Sequence, residues 1–376
     1  MSFEHIRYGI IGCGSMGREH IENLRALPDC SVTAIADTDA GSREKAQAIL
    51  PEGVKVFEDY RQLLDSGLCD AVVLATPNFT HAEVVGAALE YPVHVLAEKP
   101  ICTTVEDAFS LVQQAQGRQH LVWVAQEYRY MPPVAEMIRM AHAGAVGNIH
   151  QVAIREHREP FYPKVGDWNR FSVNTGGTLV EKCCHYFNLM DFILGEHPTR
   201  VFASGAQRVN HLDERYNGPN GQTVPDILDS AYVIVEYASG ARAMLDLCMF
   251  AENSVDNEQI LVVGDVGKLE SLLPSLTLRY GRREDWGVRK VWGEASGSGR
   301  GVSVRRVWDT NIRYPGQHFG ASFIEHQKFA HAIRTQGPAE VSLADGLRSI
   351  ATGIAAHRSI DAGRPVMMSE VLPEGW

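Results

Sequence analysis

Short apolar runs and amphipathic segments alternate along the first third of the chain. The segments between the runs repeat apolar side chains with the 3.6-residue period of a helix. The apolar runs are residues 6–11, 31–37, 54–57, 70–77, 92–98 and 120–126. Strands that are apolar on both faces and that alternate with helices predict a parallel sheet covered by helices on both sides. We therefore predict a doubly wound α/β domain over residues 1–126.

The remaining residues, 127–376, follow a different pattern, in which strand-like segments succeed one another with few helices between them. These segments are residues 149–158, 199–209, 227–237, 241–250, 259–265 and 275–281. Ala238, Ser239 and Gly240 join two of them and predict a hairpin, and hence an antiparallel sheet. Helices predicted at 178–194 and near 318–335 cover one face of this sheet. We predict an α+β domain with a large, mainly antiparallel open sheet, and a surface loop at 293–303.

Composition narrows the possible functions. The chain has 376 residues, of which 45% are hydrophobic. This length exceeds what a single hydrophobic core usually supports, so two domains are favoured. The formal net charge is −11 and no basic stripe is present, so nucleic-acid binding is disfavoured. The chain lacks a signal-peptide pattern and any long apolar run, which predicts a cytoplasmic protein without a membrane partner. The seven cysteines include no CxxC pair and are predicted to be reduced core residues.

A glycine-rich turn, GCGSMG, follows the first predicted strand and precedes a helical pattern. Gly12 permits a tight turn, Gly14 allows backbone to approach a pyrophosphate, and Gly17 allows the helix to pack on the strand. The first helical amides, at Ser15 and Met16, can then bind phosphate. The motif predicts a Rossmann domain that binds a dinucleotide.

Asp37 ends the second predicted strand, 20 residues after Gly17. A carboxylate at this position accepts hydrogen bonds from the adenosine ribose and repels a 2′-phosphate. Because Thr38 rather than arginine follows it, we predict that the cofactor is NAD rather than NADP. The alternative is that Asp37 serves only as the N-cap of the next helix.

Polar residues also follow the later strands of the predicted parallel sheet. Since ligands of such sheets lie beyond the carboxyl ends of the strands, these residues are predicted to contact the cofactor. They are Thr76, Pro77, Asn78, His81, Glu98, Lys99 and Gln126. Lys99 comes directly after a buried strand, and its ammonium is expected to extend into the crevice where nicotinamide and substrate meet.

The motifs GCGSMG, ATPNFTH (75–81) and AEKP (97–100), in this order, resemble the glucose-fructose oxidoreductase, inositol dehydrogenase and rhizopine catabolism protein family. Segments 176–193 and 345–366 are also similar to that family. The resemblance implies that Lys99 is catalytic in the NAD-dependent oxidation of a secondary alcohol of a sugar or cyclitol. It also implies that the open sheet face pairs with another subunit, so we expect a homo-oligomer, either a dimer or a tetramer.

Glu181, His185 and Asn188 share one face of the predicted helix 178–194. Imidazole suits proton removal from an alcohol near neutral pH, and a carboxylate one turn away can orient it. The resemblance favours catalytic roles for His185 and Glu181 over a half-buried histidine on a polar face, although the family pattern has aspartate at position 181. Adjacent Cys183 and Cys184 point about 100° apart on a helix, so we predict no metal site.

The segment before this helix is dense in aromatic and charged residues. Tyr162 and Trp168 can cover the apolar face of a sugar ring, while Arg155, His157 and Arg170 can bond its hydroxyls. Lys182 either reaches the substrate or is exposed. The predicted substrate contacts are Lys99, Arg129, Tyr130, Arg158, Tyr162, Trp168, Lys182, His185 and His318.

Two alternative functions stay open from the residues alone. One is a non-catalytic NAD-binding sugar sensor, which would be expected to lack the lysine and the histidine, although both are present. The other is a reductase of a non-sugar carbonyl.

Overall fold

The computed structural model describes residues 4–218, 221–285 and 301–376. Its first sheet contains six parallel strands in the order β3-β2-β1-β4-β5-β6. The strands are β1 (Ile6–Ile11), β2 (Cys30–Ala36), β3 (Lys55–Phe57), β4 (Ala71–Leu74), β5 (His94–Glu98) and β6 (Val122–Ala125). The order reverses between β1 and β4, which places a crevice beyond the carboxyl ends of these strands. The predicted doubly wound parallel sheet is confirmed.

Five helices alternate with these strands and cover both faces of the sheet. They are α1 (Ser15–Arg25), α2 (Ala40–Gln47), α3 (Tyr60–Asp65), α4 (His81–Leu89) and α5 (Val105–Gln114). Side-chain caps begin three of them, at Asp39, Asp59 and Thr104. The central strands are buried on both faces, as the continuous apolar runs predicted.

The second sheet has nine described strands in the order β16-β15-β14-β13-β7-β12-β11-β8-β17, and β9 pairs with β10 separately. The strands are β7 (Ile149–His157), β8 (Pro198–Ala206), β9 (Tyr216–Gly218), β10 (Gly221–Thr223), β11 (Ser230–Tyr237), β12 (Arg242–Cys248), β13 (Glu258–Gly264), β14 (Gly267–Leu273), β15 (Thr277–Arg282), β16 (Val302–Arg306) and β17 (Val366–Met367). Only the β7–β12 pair among the described neighbours is parallel. The predicted, mainly antiparallel sheet is confirmed.

One face of this sheet is buried and the other is open. Val233 and Leu245 point inward, toward the side covered by helices, whereas Phe202, Ile234 and Met244 are exposed on the opposite face. Ile234 pairs with Phe202 on one side and with Met244 on the other, so the three apolar side chains form a row across neighbouring strands. The period-two alternation of strands therefore separates a core face from an open apolar row.

Six further α-helices follow β6 in the described part of the chain, and two of them return to the first sheet. They are α6 (Pro132–His142), α7 (Ser172–Thr175), α8 (Thr178–Glu181), α9 (Cys184–Leu194), α10 (Ala321–Thr335) and α11 (Leu343–Ala362). Helix α10 contacts α1, and α11 contacts α5 and β6. The amide of Val124 also donates to the carbonyl of Val341, at 3.1 Å. The domain boundary between residues 126 and 127 therefore stays a proposal, because α10 and α11, which lie near the end of the chain, pack against elements of the first domain.

Two smaller expectations concern loops and membrane spans. Residues 293–300 of the predicted surface loop lie outside the described residues, and Val302 and Ser303 begin β16 instead. Among the described helices, none is long and apolar enough to cross a bilayer.

Candidate active site

The glycine turn after β1 is built for close contact at two positions and for open space at the third. An ideal Cβ on Gly12, whose φ is +92°, would lie 2.5 Å from the Ala75 carbonyl. A Cβ on Gly17 would lie 1.9 Å from the Gly12 oxygen, whereas a Cβ on Gly14 would meet no heavy atom within 4 Å. Helix α1 begins without a side-chain cap or an acidic residue in its first turn. Its free amides and the space above Gly14 fit a pyrophosphate.

Exchanging two of these glycines for alanine separates folding from cofactor binding. Gly14→Ala is expected to leave the free energy of unfolding nearly unchanged and to weaken NAD binding by about tenfold or more, because the methyl group fills the phosphate space. Gly17→Ala is expected to lower the free energy of unfolding by about 1–3 kcal/mol, because the new Cβ overlaps the Gly12 carbonyl. Denaturant unfolding and NAD titration calorimetry measure both effects. Unchanged NAD affinity in Gly14→Ala would contradict this placement of the cofactor.

Asp37 is held against the glycine turn rather than at a helix start. Its carboxylate accepts from the amide of Cys13 at 2.6 Å and from the amide of Asp39 at 2.8 Å. The N-cap of α2 is Asp39, which accepts from the amide of Ser42, so the N-cap alternative for Asp37 is wrong. The fold also places a cation next to Asp37, because Arg43 donates to the Asp37 carbonyl at 2.6 Å and pairs with Glu58.

Asp37→Ser is expected to raise the KM for NAD by about tenfold and to shift the kcat/KM ratio toward NADP, because it removes a charged acceptor of the ribose hydroxyls. Arg43, which donates to the Asp37 carbonyl, would then offer a cation to a 2′-phosphate. Asp39→Ser is the matched control, since serine still caps α2 and the cofactor preference should not move. Steady-state kinetics with both cofactors measure the shift, and equal effects in the two variants would refute a specific role for Asp37.

The loops after β4 and β5 are tied together and leave one amide without a protein partner. The imidazole of His81 lies 2.9 Å from the Thr76 carbonyl and 2.7 Å from the Pro100 carbonyl. Asn78 follows Pro77 in the short 3-10 helix Asn78–Thr80, and its side chain is buried. Its Nδ2 has no hydrogen-bond partner in the protein. A buried donor without a partner at this edge fits a bound cofactor amide or hydroxyl.

The predicted contacts Glu98 and Gln126 face inward. Glu98 accepts from the Lys99 amide at 3.0 Å and lies 3.0 Å from His20 Nε2, and Nδ1 of the same histidine lies 2.8 Å from His326 Nε2. Burial alone would raise the pKa of Glu98, but the hydrogen bond from His20 and the charge of Lys99 hold it below its usual range. Gln126 donates to Ser349 at 2.8 Å and keeps a buried, unpartnered Oε1. Both side chains are buried and contact protein groups at the carboxyl ends of β5 and β6.

Lys99 meets a break in the helix that was predicted at 178–194. Helix α8 ends at Glu181 and α9 begins at Cys184, so the prediction of one continuous helix is wrong. Lys99 Nζ donates to the Glu181 carbonyl at 3.1 Å, an acceptor that an unbroken helix would give to the amide of residue 185. Burial alone would lower the pKa of Lys99, but neighbouring Cys184 and the carboxylates around it raise it. Its ammonium is therefore charged.

His185 is a buried, neutral imidazole beside this ammonium. Its ring stacks on Tyr128 with centroids 3.9 Å apart, and its Nδ1 is buried without a partner. Burial, together with the charges of Lys99 and Lys182, lowers its pKa well below the usual value. A neutral imidazole with a free nitrogen is competent to accept a proton.

The carboxylate next to His185 is Glu127, which the sequence analysis missed. Within the described residues, the ion-pair contact of His185 is to Glu127 Oε1, at 3.8 Å, and His318 Nδ1 lies 3.3 Å from the same oxygen. The expectation that Glu181 orients this imidazole is therefore not met, although Glu181 lies in the site with a buried, unpartnered Oε2. Glu127 follows Gln126 at the end of β6, and this position was the available signal.

Lys182 and Arg158 join a second buried group around Glu156. Lys182 Nζ lies 2.9 Å from Glu156 Oε1 and donates to the Tyr128 hydroxyl, so the alternative of an exposed lysine is wrong. Arg158 lies 3.5 Å from the same carboxylate oxygen. Glu156 is buried on the inner face of β7, between two residues that point to the opposite face.

The other predicted sugar contacts are distributed elsewhere. Arg155 and His157 lie on the open face of β7 and pair with Asp246, because side chains alternate along a strand, and Arg170 pairs with Glu214. Arg129 donates to Asn188 and to the Glu340 carbonyl, and Tyr130 donates to the Glu340 carboxylate. Tyr162 is exposed. Trp168 lies edge-on to Phe79, with ring centroids 6.3 Å apart, beside the 3-10 helix that follows β4.

The structure thus brings together Lys99, Glu181, Lys182, His185 and His318 around one buried site, with Glu127 and Tyr128 in addition. Within the described ranges, no group of three or more histidine, cysteine or acidic residues could hold a metal ion.

Comparison with known proteins agrees with the fold and the glycine turn. Residues 6–126 match the model of an oxidoreductase family with an NAD-binding Rossmann fold, and residues 139–368 match the model of its C-terminal alpha/beta domain. The chain belongs to the glucose-fructose oxidoreductase, inositol dehydrogenase and MocA family. The resemblance carried by the three motifs is confirmed, and so is NAD as the cofactor of this oxidoreductase.

Two relatives and one solved structure illustrate the family's range. Myo-inositol 2-dehydrogenase of Thermotoga maritima is 26% identical over 371 residues, covering 98% of this chain and 100% of that protein. Inositol 2-dehydrogenase 2 of Saccharopolyspora erythraea is 30% identical over 278 residues, covering 72% and 75%. The structure of levoglucosan dehydrogenase in complex with NADH superposes with a TM-score of 0.83 at 20% identity, covering 97% and 99%. This last likeness concerns the fold.

Proposed function

We propose that this NAD-dependent oxidoreductase oxidises a secondary alcohol of a sugar or cyclitol. The observation that carries the proposal is the meeting of the charged Lys99 with the neutral His185 at the break between α8 and α9. Bound NAD supplies the acceptor for the hydride. Lys99 positions the reacting oxygen and stabilises the negative charge that develops on it, while His185 takes the hydroxyl proton at Nδ1.

The unpartnered polar atoms of the site support a hydroxyl-rich substrate. Glu181 Oε2 is a buried acceptor without a partner, and His185 Nδ1 is a buried nitrogen without one. A buried polar atom left unpaired is costly, and hydroxyl groups can serve both as donors and as acceptors. Relatives named inositol 2-dehydrogenase support a ring polyol in particular. The Glu181 carboxyl would then bond a substrate hydroxyl rather than orient His185.

A substrate panel tests this function. The protein is incubated with NAD and with myo-inositol, other cyclitols, levoglucosan and aldopyranoses, and absorbance of the reduced cofactor is followed. We expect turnover of at least one ring polyol. If a polyol changes NAD affinity without any reduction, the sensor alternative is supported; if only non-sugar carbonyls react with NADH, the reductase alternative is supported.

We also propose that a second copy of the chain covers the open face of the large sheet. The exposed row of Phe202, Ile234 and Met244 is flanked on the same face by Arg200 paired with Glu236, so the surface offers both apolar and oppositely charged groups to a copy of itself. Light scattering coupled to size exclusion is expected to give a dimer or tetramer, and Ile234→Glu is expected to shift it toward monomer. A monomeric wild-type protein at micromolar concentration would refute the pairing.

A further inference from the structure

Glu127 lies between two imidazoles that differ in their access to solvent. Its Oε1 is 3.8 Å from His185 Nε2 and 3.3 Å from His318 Nδ1. The side chains of His185 and Glu127 are 1% and 2% exposed, whereas that of His318 is 21% exposed. We infer that Glu127 and His318 form the path by which the proton taken up by His185 leaves the buried site. The inference rests on the proposed function, since it concerns the proton that alcohol oxidation releases.

Each transfer along this path balances. The hydroxyl proton of the alcohol goes to His185 Nδ1, the nitrogen without a protein partner, and bound NAD would accept the hydride. The imidazolium then gives the proton on Nε2 to Glu127 Oε1, and the resulting carboxylic acid gives it to His318 Nδ1, from which solvent receives it. One proton therefore leaves for each hydride transferred. Neither contact has hydrogen-bond geometry as it stands, and catalytic hydrogen bonds commonly tighten when substrate binds.

The groups around Glu127 suit it to receive the proton. Lys99 and Glu98 face it from the end of β5, Lys182 from the junction of α8 and α9, and Glu325 from α10. Burial and the charge of Glu98 raise the pKa of Glu127 to about 8, against the opposing charges of Lys99 and Lys182. Burial lowers the pKa of His185 well below its usual value and that of His318 to about 3. The Glu127 carboxylate is thus the strongest base of the three and takes the proton from His185, whereas the onward transfer to His318 is the uphill step, after which His318 does not retain the proton.

This arrangement also predicts the sign of a pH dependence. Glu127 can accept a proton only as a carboxylate, and the carboxylate fraction increases as pH rises through the raised pKa. Oxidation should therefore speed up from neutral to mildly alkaline pH. His185, with its lowered pKa, is already neutral throughout that range.

A purely structural role for a buried carboxyl group is the competing explanation, and Glu325 serves as its matched control. Glu325 is buried to a similar degree, and burial likewise raises its pKa. Its carboxylate accepts from Trp123 Nε1 at 3.2 Å instead of facing His185. Glu325→Gln therefore imitates the loss of a buried carboxyl group without interrupting the path.

The test is a stopped-flow comparison of NADH formation and proton release, the latter followed with a pH-indicator dye in weak buffer. The substrate is myo-inositol or levoglucosan, whichever the wild-type protein turns over faster. In wild type and Glu325→Gln, both signals should rise together with one proton per NADH. In Glu127→Gln and His318→Asn, NADH should form in the first turnover while proton release lags by about tenfold or more, and the rise in rate with pH should disappear from Glu127→Gln.

Three results would overturn the path. Synchronous release in both Glu127→Gln and His318→Asn would do so, as would an equal lag in Glu325→Gln. If Glu127→Gln fails to fold, judged by its thermal melt with NAD, His318→Asn decides alone, because His318 is partly exposed. If the wild-type protein forms no NADH with any polyol, the proposed function fails and the path fails with it, which is distinguishable from NADH formed with synchronous protons.

Discussion

Lys99→Met is expected to lower kcat by about 10³-fold or more while NAD affinity stays near the wild-type value. Methionine keeps the length of the side chain but removes the ammonium that the proposed mechanism places on the reacting oxygen. The loss should appear in kcat as well as in kcat/KM, because negative charge is absent from that oxygen in the bound alcohol and develops only as its proton departs. Steady-state kinetics with the best polyol of the panel, combined with NAD titration, measure both quantities.

The variant also removes the donor to the Glu181 carbonyl, so stability needs its own check. The unpaired carbonyl is expected to lower the free energy of unfolding by about 1–3 kcal/mol, which leaves the protein folded at room temperature. Lys328→Met is the control: Lys328 pairs with Glu340 away from the crevice, and its loss should leave kcat unchanged. A Lys99→Met protein that binds NAD and keeps more than a tenth of the wild-type kcat would rule out the catalytic role of Lys99.

His185→Asn is expected to lower kcat for oxidation by about 10²- to 10⁴-fold. Asparagine can hydrogen-bond but cannot accept the hydroxyl proton, so the chemical step loses its base. His142→Asn is the control, since that exposed histidine contacts the Phe192 carbonyl outside the site. kcat is measured at saturating polyol and NAD, and a variant within threefold or so of wild type would show that another group takes the proton.

The pH profile of the wild-type protein tests the protonation state of His185 independently. Burial, Lys99 and Lys182 lower the pKa of His185, so its base form persists as pH falls below 6.5. A loss of activity centred on the ordinary histidine pKa, present in wild type and absent from His185→Asn, would contradict the buried and neutral state described above.

Local patterns were sufficient to predict the parallel sheet and its glycine turn. The apolar runs report burial on both faces, and the GxGxxG spacing reports close approaches that the structure shows at Gly12 and Gly17. Asp37 was predictable because its position follows directly from the end of β2. Each of these features depends on residues near one another in sequence or on the regular geometry of parallel strands.

Features created by long-range packing could not be predicted in the same way. The helix break after Glu181 coincides with a hydrogen bond from Lys99, 82 residues earlier in the chain. Glu156 and Glu127 are carboxylates in segments that look ordinary, and only the fold shows that both are buried near His185 and Lys182. No strand was predicted at β14, where the buried Ser271 interrupts the apolar alternation of the inner face. Alternation along β7 also places Glu156 on the inner face and Arg155 and His157 on the open face. Composition alone had grouped Arg155 and His157 with the sugar contacts.

A crystal structure of the protein with NADH and its best ring polyol would locate the reacting oxygen. We expect one carbinol oxygen within about 3.2 Å of both Lys99 Nζ and a ring nitrogen of His185, with the pyrophosphate above Gly14. A polyol whose reacting carbon faces the nicotinamide but whose oxygen contacts neither side chain, or only one of them, would contradict this expectation.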